Sequence, residues 1–404
     1  MLFQTLDDKT ECVGIYTNNR LIFSPQEFPT DLTGTWAYTP HVRSQDVEYA
    51  SLYLEGKAIE DVIPEYLQDD WSDVTERIAA FKRSLRLAKV SRSENCFFDL
   101  VPSRFLSEWC EVKNQITGHV LETVPRPERY DFYKHVAMLI GDIATQEVKF
   151  DRRFITSFVG HNKLGNYASK MLAVNPRVCY NQFGTKTGRL TTKKNTLPIL
   201  TLPKSFKKAI TPQNDYFLEI DFNGAEVRTL LGILEKQQPA GDIHEFHLHH
   251  VFSNFDSRSQ AKEAFFAWLY GAKKAVNIQQ QHQLDAYYQK EHVLQKYYQG
   301  GRVTTPYGKT IMNVDAHHAL NYIIQSTTAE LCLKQFLKVN YLLSRTASSR
   351  VSFLVHDAIV LDMSHEDETV IPDIIDLMRS TNFGNFAVNI KKGKNLGEML
   401  QWIR

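Results

Sequence analysis

Two aspartates at the ends of apolar runs, and one helix-spaced set of two cations and two aromatics, are the residues of this chain best suited to chemistry. Asp221 closes the run Phe217-Leu218-Glu219-Ile220, and Asp357 follows Phe353-Leu354-Val355-His356. Both runs predict strands. A carboxylate at a strand end must meet water, a partner or a metal ion, because burying it alone is costly. Two such strands side by side would bring both carboxylates to a common pair of divalent ions, which can activate an attacking hydroxyl and stabilise a departing pyrophosphate. Magnesium is the expected ion, since it favours oxygen ligands and substrate phosphates, with manganese as a substitute. A single strand-end aspartate is usually a turn residue, so the reading depends on what accompanies the pair.

The accompaniment is RSQAKEAFFAWLYG, in which Arg258, Lys262, Phe266 and Tyr270 recur every four residues. On a helix that spacing makes one inclined stripe. Its two cations suit the phosphates of a nucleoside triphosphate, and its two aromatics suit a sugar and a base. The alternative is an apolar helix face with two cations lying along it. A second charge feature precedes both. Between Asp151 and Asp215 there is no acidic residue, while Lys186, Arg189, Lys193, Lys194, Lys207 and Lys208 fall there among others. With Tyr167, Tyr180 and Phe183 interleaved, the interval reads as a groove for a polyanion.

The elements that must position these residues follow from pattern. Alternating segments joined by Asn18-Asn19 predict a hairpin, and a helix follows near Val74–Ala88. Residues 102–145 carry helical periodicity interrupted by Pro125-Arg126-Pro127, a pair of antiparallel helices. RVCYNQF and PILTLPKSF read as short strands. The chain is then mainly helical from Asp221 to about residue 298, passes through the short strands of GRVTTPYGKTIMN, and forms a helix from His317 to Leu343. Strand, tight turn and strand surround Asp357, and a helix and a strand finish the chain.

In chain order the three segments resemble motifs A, B and C of family A DNA polymerases, the group that includes bacterial DNA polymerase I. TKTGRLTT from Thr185, DIHEFHLHHVF from Asp242 and ALNYIIQSTTAEL from Ala319 resemble three further elements of that family, in the same order. The resemblance spans about Thr185 to Asp362 and extends more loosely to the helical pair. It implies an α+β right-hand polymerase fold: an amino-terminal α/β module over 1–95, a thumb over 96–149, a palm over 150–225 and 319–404, and fingers over 226–318. It implies a DNA-directed DNA polymerase that adds dNTPs to a primer 3′-hydroxyl on primer-template DNA. Asp221, Asp357 and the carbonyl of Phe222 would hold the metals. Arg258, Lys262 and His244 would bind triphosphate, with Lys262 placed to protonate the pyrophosphate. Phe266 and Tyr270 would line the nucleotide, and Glu226 would exclude a ribose 2′-hydroxyl. Arg189, Arg228, Asn321, Gln325 and His356 would contact DNA, and Lys193, Lys194, Lys207 and Lys208 its phosphates.

Some bland readings compete. Asn321 and Gln325 suit a mutual hydrogen bond at i and i+4, Glu226 and Arg228 a surface pair, and His244, His247, His249 and His250 ordinary positions on a helix rather than a zinc site. The chain also departs from the family. Ala358 stands where a third carboxylate is usual, Phe222-Asn223-Gly224-Ala225 replaces Tyr-Ser-Gln-Ile, and His317 replaces an arginine. The first 95 residues are too short for the family's proofreading exonuclease and lack its Asp-x-Glu strand. They read as a reduced remnant or a docking module for a separate exonuclease or processivity clamp.

Composition fits this without specifying it. A net charge of +1 argues against a packaging protein, and five scattered cysteines without a CxxC pair indicate reduced thiols in a cytoplasmic compartment. No secretory or membrane-spanning apolar run is found, and the small size and missing exonuclease fit a viral or plasmid replicative or repair enzyme. A single-subunit RNA polymerase shares the cation–aromatic stripe but not Glu226 and Phe266. A non-catalytic binding subunit would have no need of both aspartates.

Overall fold

The computed structural model describes all residues except 9, 10, 41, 43–45, 92, 93, 273–275, 403 and 404, and residues 11–13 by backbone alone. The Cys12 thiol and the Glu11 carboxylate therefore lie outside the described residues. The chain forms two compact units, Met1–Thr145 and Gln146–Arg404. No helix among the described residues is long and apolar enough to cross a membrane.

In the first unit, strands Gln4–Asp8, Glu11–Thr17 and Arg20–Ile22 form an antiparallel meander. Asn18 and Asn19 supply the expected hairpin turn with φ of 47° and 58°, a left-handed conformation that asparagine tolerates. Helices Gln68–Leu87, Ser103–Thr123 and Tyr130–Thr145 follow, the last two separated at the proline break as expected. Leu6 and Tyr16 from the strands pack with Ile78, Leu106 and Cys110, so the helical pair shares its core with the amino-terminal strands. Gln4 is buried there and donates to Asn114 at 2.9 Å and Thr117 at 3.1 Å, which satisfies an amide that would otherwise oppose folding.

The second unit is built on a five-stranded antiparallel sheet. Its spatial order is Arg350–Val355, Ala358–Met363, Tyr216–Phe222, Val388–Gly393 and Leu400–Gln401. The strand ending near Asp221 is thus central, and it is flanked directly by the strand that follows Asp357. Tyr216, Phe217, Leu218, Ile220 and Phe222 are buried while Glu219 and Asp221 are only partly covered, which fixes the polar face. Helices Ala225–Ile233, Ile243–His250 and Arg258–Leu269 come next, and Val227, Leu230, Phe265, Trp268 and Ile323 join them to the long helix Ala316–Leu343 in one core.

The expected strand over PILTLPKSF is a correction. Ile199–Thr201 is a single 3₁₀ turn and Lys204–Lys207 a short helix. Pro198 and Pro203 each remove a backbone donor and fix φ, so the apolar alternation has no ladder to join. Of RVCYNQF only Tyr180–Asn181 pairs, against Thr191–Thr192.

Candidate active site

The hairpin that carries Asp357 has Val355 opposite Ala358, leaving His356 and Asp357 as its two turn residues. His356 has a φ of 56°, uncommon for a residue with a side chain, so the backbone holds a locally unfavourable conformation beside the carboxylate. The neighbouring strand places Asp221 opposite Ala358, and the Phe222 amide approaches the Asp357 carbonyl at 3.5 Å. Burial, then the Asp357 charge and then the Glu219 charge push the Asp221 carboxyl up to about 7, and burial also raises Asp357. Lys391, which would relieve Asp221, is paired with Glu219 at 2.6 Å. Neither aspartate has an ion-pair partner among the described residues. Two half-buried carboxylates without a cation of their own, in a cleft that Phe222 also lines, fit a hard divalent ion.

One open cleft with an empty volume of about 840 Å³ gathers Asp221, Asp357, Phe222, Glu226, Arg189, His244, Arg258, Lys262 and Phe266. The stripe is real: helix 258–269 buries Ala261, Phe265 and Trp268 and leaves Arg258, Lys262 and Phe266 toward the opening, with Phe266 and Tyr270 stacked at 6.1 Å. Tyr270 donates to Glu226 at 2.5 Å, and Arg189 pairs with the other Glu226 oxygen. Glu226 is therefore a bridge between the two walls. Its partnership with Arg189 replaces the surface pair with Arg228 that the sequence allowed.

Behind this wall lies a network that sequence reasoning missed. Asp242 caps helix 243–250 by accepting from the amides of His244 at 2.8 Å and Glu245 at 3.0 Å, and it also accepts from Asn223 and from Arg258, each at 2.6 Å. Burial alone would raise its carboxyl; the hydrogen bonds from Arg258 and Asn223 outweigh that and hold it well below the usual carboxylate range. The signal was present, since an aspartate before an apolar-periodic run is a helix cap. His244 is buried, and burial together with the Arg258 and Lys262 charges lowers it to about 4. It therefore meets the cleft as a neutral ring. Gly224, at φ of 65°, lies so close to Ile243 that a Cβ would stand 2.3 Å from its Cγ2, which explains why only glycine follows Asn223.

Other expected residues fare differently. Arg189 and His356 line a second cavity with Leu354, Thr328 and Asp357. Asn321 and Gln325 do not bond each other, and Asn321 Oδ1 is buried without a partner. Lys193 and Lys194 are exposed, Lys207 is half-buried, and Lys208 is paired with Glu398 at 2.6 Å. Arg228 is a correction as a DNA contact. It is fully buried, and its guanidinium donates to the carbonyls of Asn223, Pro239 and Gly241. Tyr167 and Tyr180 are corrections as stacking platforms for a polyanion. Tyr167 stacks on Phe206, and the buried Tyr180 hydroxyl donates to the Leu354 carbonyl at 2.8 Å and accepts from the Leu354 amide at 2.9 Å. It completes the hydrogen bonding of the edge strand that leads to Asp357. Of the four histidines in helix 243–250, His247 stacks on Phe265 at 4.2 Å, and His249 and His250 are exposed.

No protein-family model matches the sequence, and no curated protein matches it. Among solved structures the chain is similar to the POL domain of Pol1 from M. smegmatis in complex with DNA primer-template and dNTP. The TM-score is 0.63, with 12% sequence identity, over 86% of this chain and 82% of that one. At this identity the likeness is one of fold: the chain has the mixed helix-and-sheet fold of a polymerase domain.

Proposed function

We propose that this chain is a template-directed DNA polymerase of the family A type, which joins dNTPs to a primer 3′-hydroxyl and releases pyrophosphate. The observation that carries the reading is the convergence, in one cleft, of Asp221, Asp357, Arg258, Lys262, His244, Phe266 and Glu226. A carboxylate pair facing two cations and an aromatic is the chemistry an incoming nucleotide requires. Residues 150–225 and 319–404 serve as palm, 226–318 as fingers, 96–149 as thumb, and 1–95 as an amino-terminal module.

Asp221, Asp357 and the Phe222 carbonyl would hold magnesium or manganese, which when bound supplies Lewis-acid stabilisation to the entering and leaving oxygens. Lys262 and Arg258 hold the phosphates, and Arg258 exchanges its contact with Asp242 for them. His244 donates one neutral ring N–H and adds no charge. Lys262 carries the proton suited to pyrophosphate departure. Phe266 and Tyr270 cover the sugar and base. Glu226, fixed by Tyr270 and Arg189, occupies the space and hydrogen-bonding capacity a ribose 2′-hydroxyl would need, so a ribonucleotide strands a buried carboxylate. His356, Asn321, Gln325 and the exposed lysines Lys193 and Lys194 face the duplex.

Primer extension on a defined template with dNTPs in one series and rNTPs in another tests the reading. Extension by dNTPs, with rNTPs poor, is expected. Efficient rNTP use by the wild-type chain would turn the assignment to an RNA polymerase.

A further inference from the structure

The carboxylate pair is short of a third carboxylate. Among the described residues no group of three or more His, Cys, Asp or Glu side chains could hold a metal ion, and Ala358, opposite Asp221, offers only a methyl group. The other side of the same row differs. Asp221 lies opposite Asn389 on strand Val388–Gly393, and opposed residues in antiparallel strands share a face with Cβ atoms about 5 Å apart. The preceding row has the same design, with Glu219 opposite Lys391 and joined to it at 2.6 Å. Asn389 lines the cleft with Asp221, Asp357, Arg258 and Lys262. From its place opposite Asp221, its side-chain amide has a donor to offer the Asp221 carboxylate. Asparagine is disfavoured inside strands; here it stands between Val388 and Ile390, which alternate to the other face. The strand gains nothing from an amide at that position, whereas the cleft does.

We propose that Asn389 is a positioning residue of the cation site and takes the place of a third carboxylate. Its Nδ2 fixes the orientation of the Asp221 carboxylate. Its Oδ1, a neutral acceptor, receives a hydrogen bond from the water that a magnesium ion retains when few protein ligands bind it. The site then works with two formal charges and one dipole, and holds its ion less tightly than a three-carboxylate site would. The inference rests on the polymerase reading of the cleft, in which Asp221 and Asp357 are cation ligands.

The test is direct Mn²⁺ binding to the full chain without DNA or nucleotide, read from the electron paramagnetic resonance of the free ion. Wild type, Asn389→Leu, Asn389→Asp and Asp221→Asn are compared, with melting curves as a check on folding. Asn389→Leu is expected to weaken Mn²⁺ by on the order of tenfold, the size of effect seen when a group that orients a metal ligand is removed. Asn389→Asp, which restores a carboxylate in the same row, is expected to bind more tightly than wild type. If Asp221→Asn binds as wild type does, the cation reading of the cleft fails. If Asp221→Asn weakens binding while Asn389→Leu stays within about twofold of wild type, the role of Asn389 alone is overturned. Should Asn389→Leu fail to fold, Asn389→Asp decides, and an affinity equal to or below wild type overturns the proposal.

Discussion

Arg228→Met tests whether a buried guanidinium, and not a surface contact, holds the turn after the Asp221 strand. Nε donates to the Asn223 carbonyl at 2.7 Å and Nη1 to the Pro239 carbonyl at 3.0 Å, while Nη2 serves the Gly241 carbonyl. Methionine fills much of the same space, so the cavity contribution is small. Three bonds from a charged donor are lost, each worth about 1.5–3 kcal/mol. Against this, the guanidinium no longer has to be desolvated, a cost reflected in its lowered pKa, and the saving is several kcal/mol. The net expectation is a destabilisation of about 2–4 kcal/mol. Urea denaturation measures it from the midpoint at unchanged slope. The same change frees Asn223 and the 239–242 segment, so Asp242 loses its register with Arg258, and the KM for nucleotide should rise in the variant that remains folded. Arg228→Lys keeps the charge but not the fork, and should lose at least half as much. Stability of Arg228→Met within about 0.5 kcal/mol of wild type would refute the strut.

Tyr180→Phe removes both hydrogen bonds to Leu354 while keeping the ring. It should cost about 1–3 kcal/mol and lower the extension rate more than primer affinity; unchanged stability would show that the strand edge is satisfied without it. His247 and His244 are buried neutral, lowered by burial first to about 3 and about 4. Between these values and about 6.5 the unfolded chain takes up protons that the folded chain refuses, so stability is full above about 6.5 and falls as pH drops. Each histidine should remove on the order of 2 kcal/mol between pH 6.5 and 5; urea midpoints that do not move over that range would contradict it. Glu226→Ala should raise ribonucleotide incorporation relative to dNTP by on the order of ten- to a hundredfold, read from single-nucleotide extension, and an unchanged ratio would remove Glu226 from sugar selection.

The fold and the centre of the site were legible because they are written in period and order. The strand ending at Asp221, the hairpin at Asp357 and the helical stripe from Arg258 to Tyr270 each carry a local pattern that their surroundings do not override. What escaped depended on cross-strand register and on burial, which no local pattern states. Arg228 has the chemistry of a surface residue five positions after Asn223, and only the return of the 239–242 segment over it makes it a core residue. Tyr180 sits among basic residues and looks like a stacking ring until the edge strand 350–355 is laid beside it. Asn389 lies far in sequence from Asp221 and meets it only through strand pairing. Gly224 stood out as a departure from the family pattern, and the approach of Ile243 supplies its physical reason.

On the polymerase reading, Asp221 and Asp357 act together on a primer terminus. Extension of a matched primer-template by dNTPs and Mg²⁺, measured for wild type, Asp221→Asn and Asp357→Asn at equal fold stability, addresses it most directly. Wild type should extend the primer, and either variant should lose at least about a hundredfold. Extension by Asp357→Asn at close to the wild-type rate would contradict it.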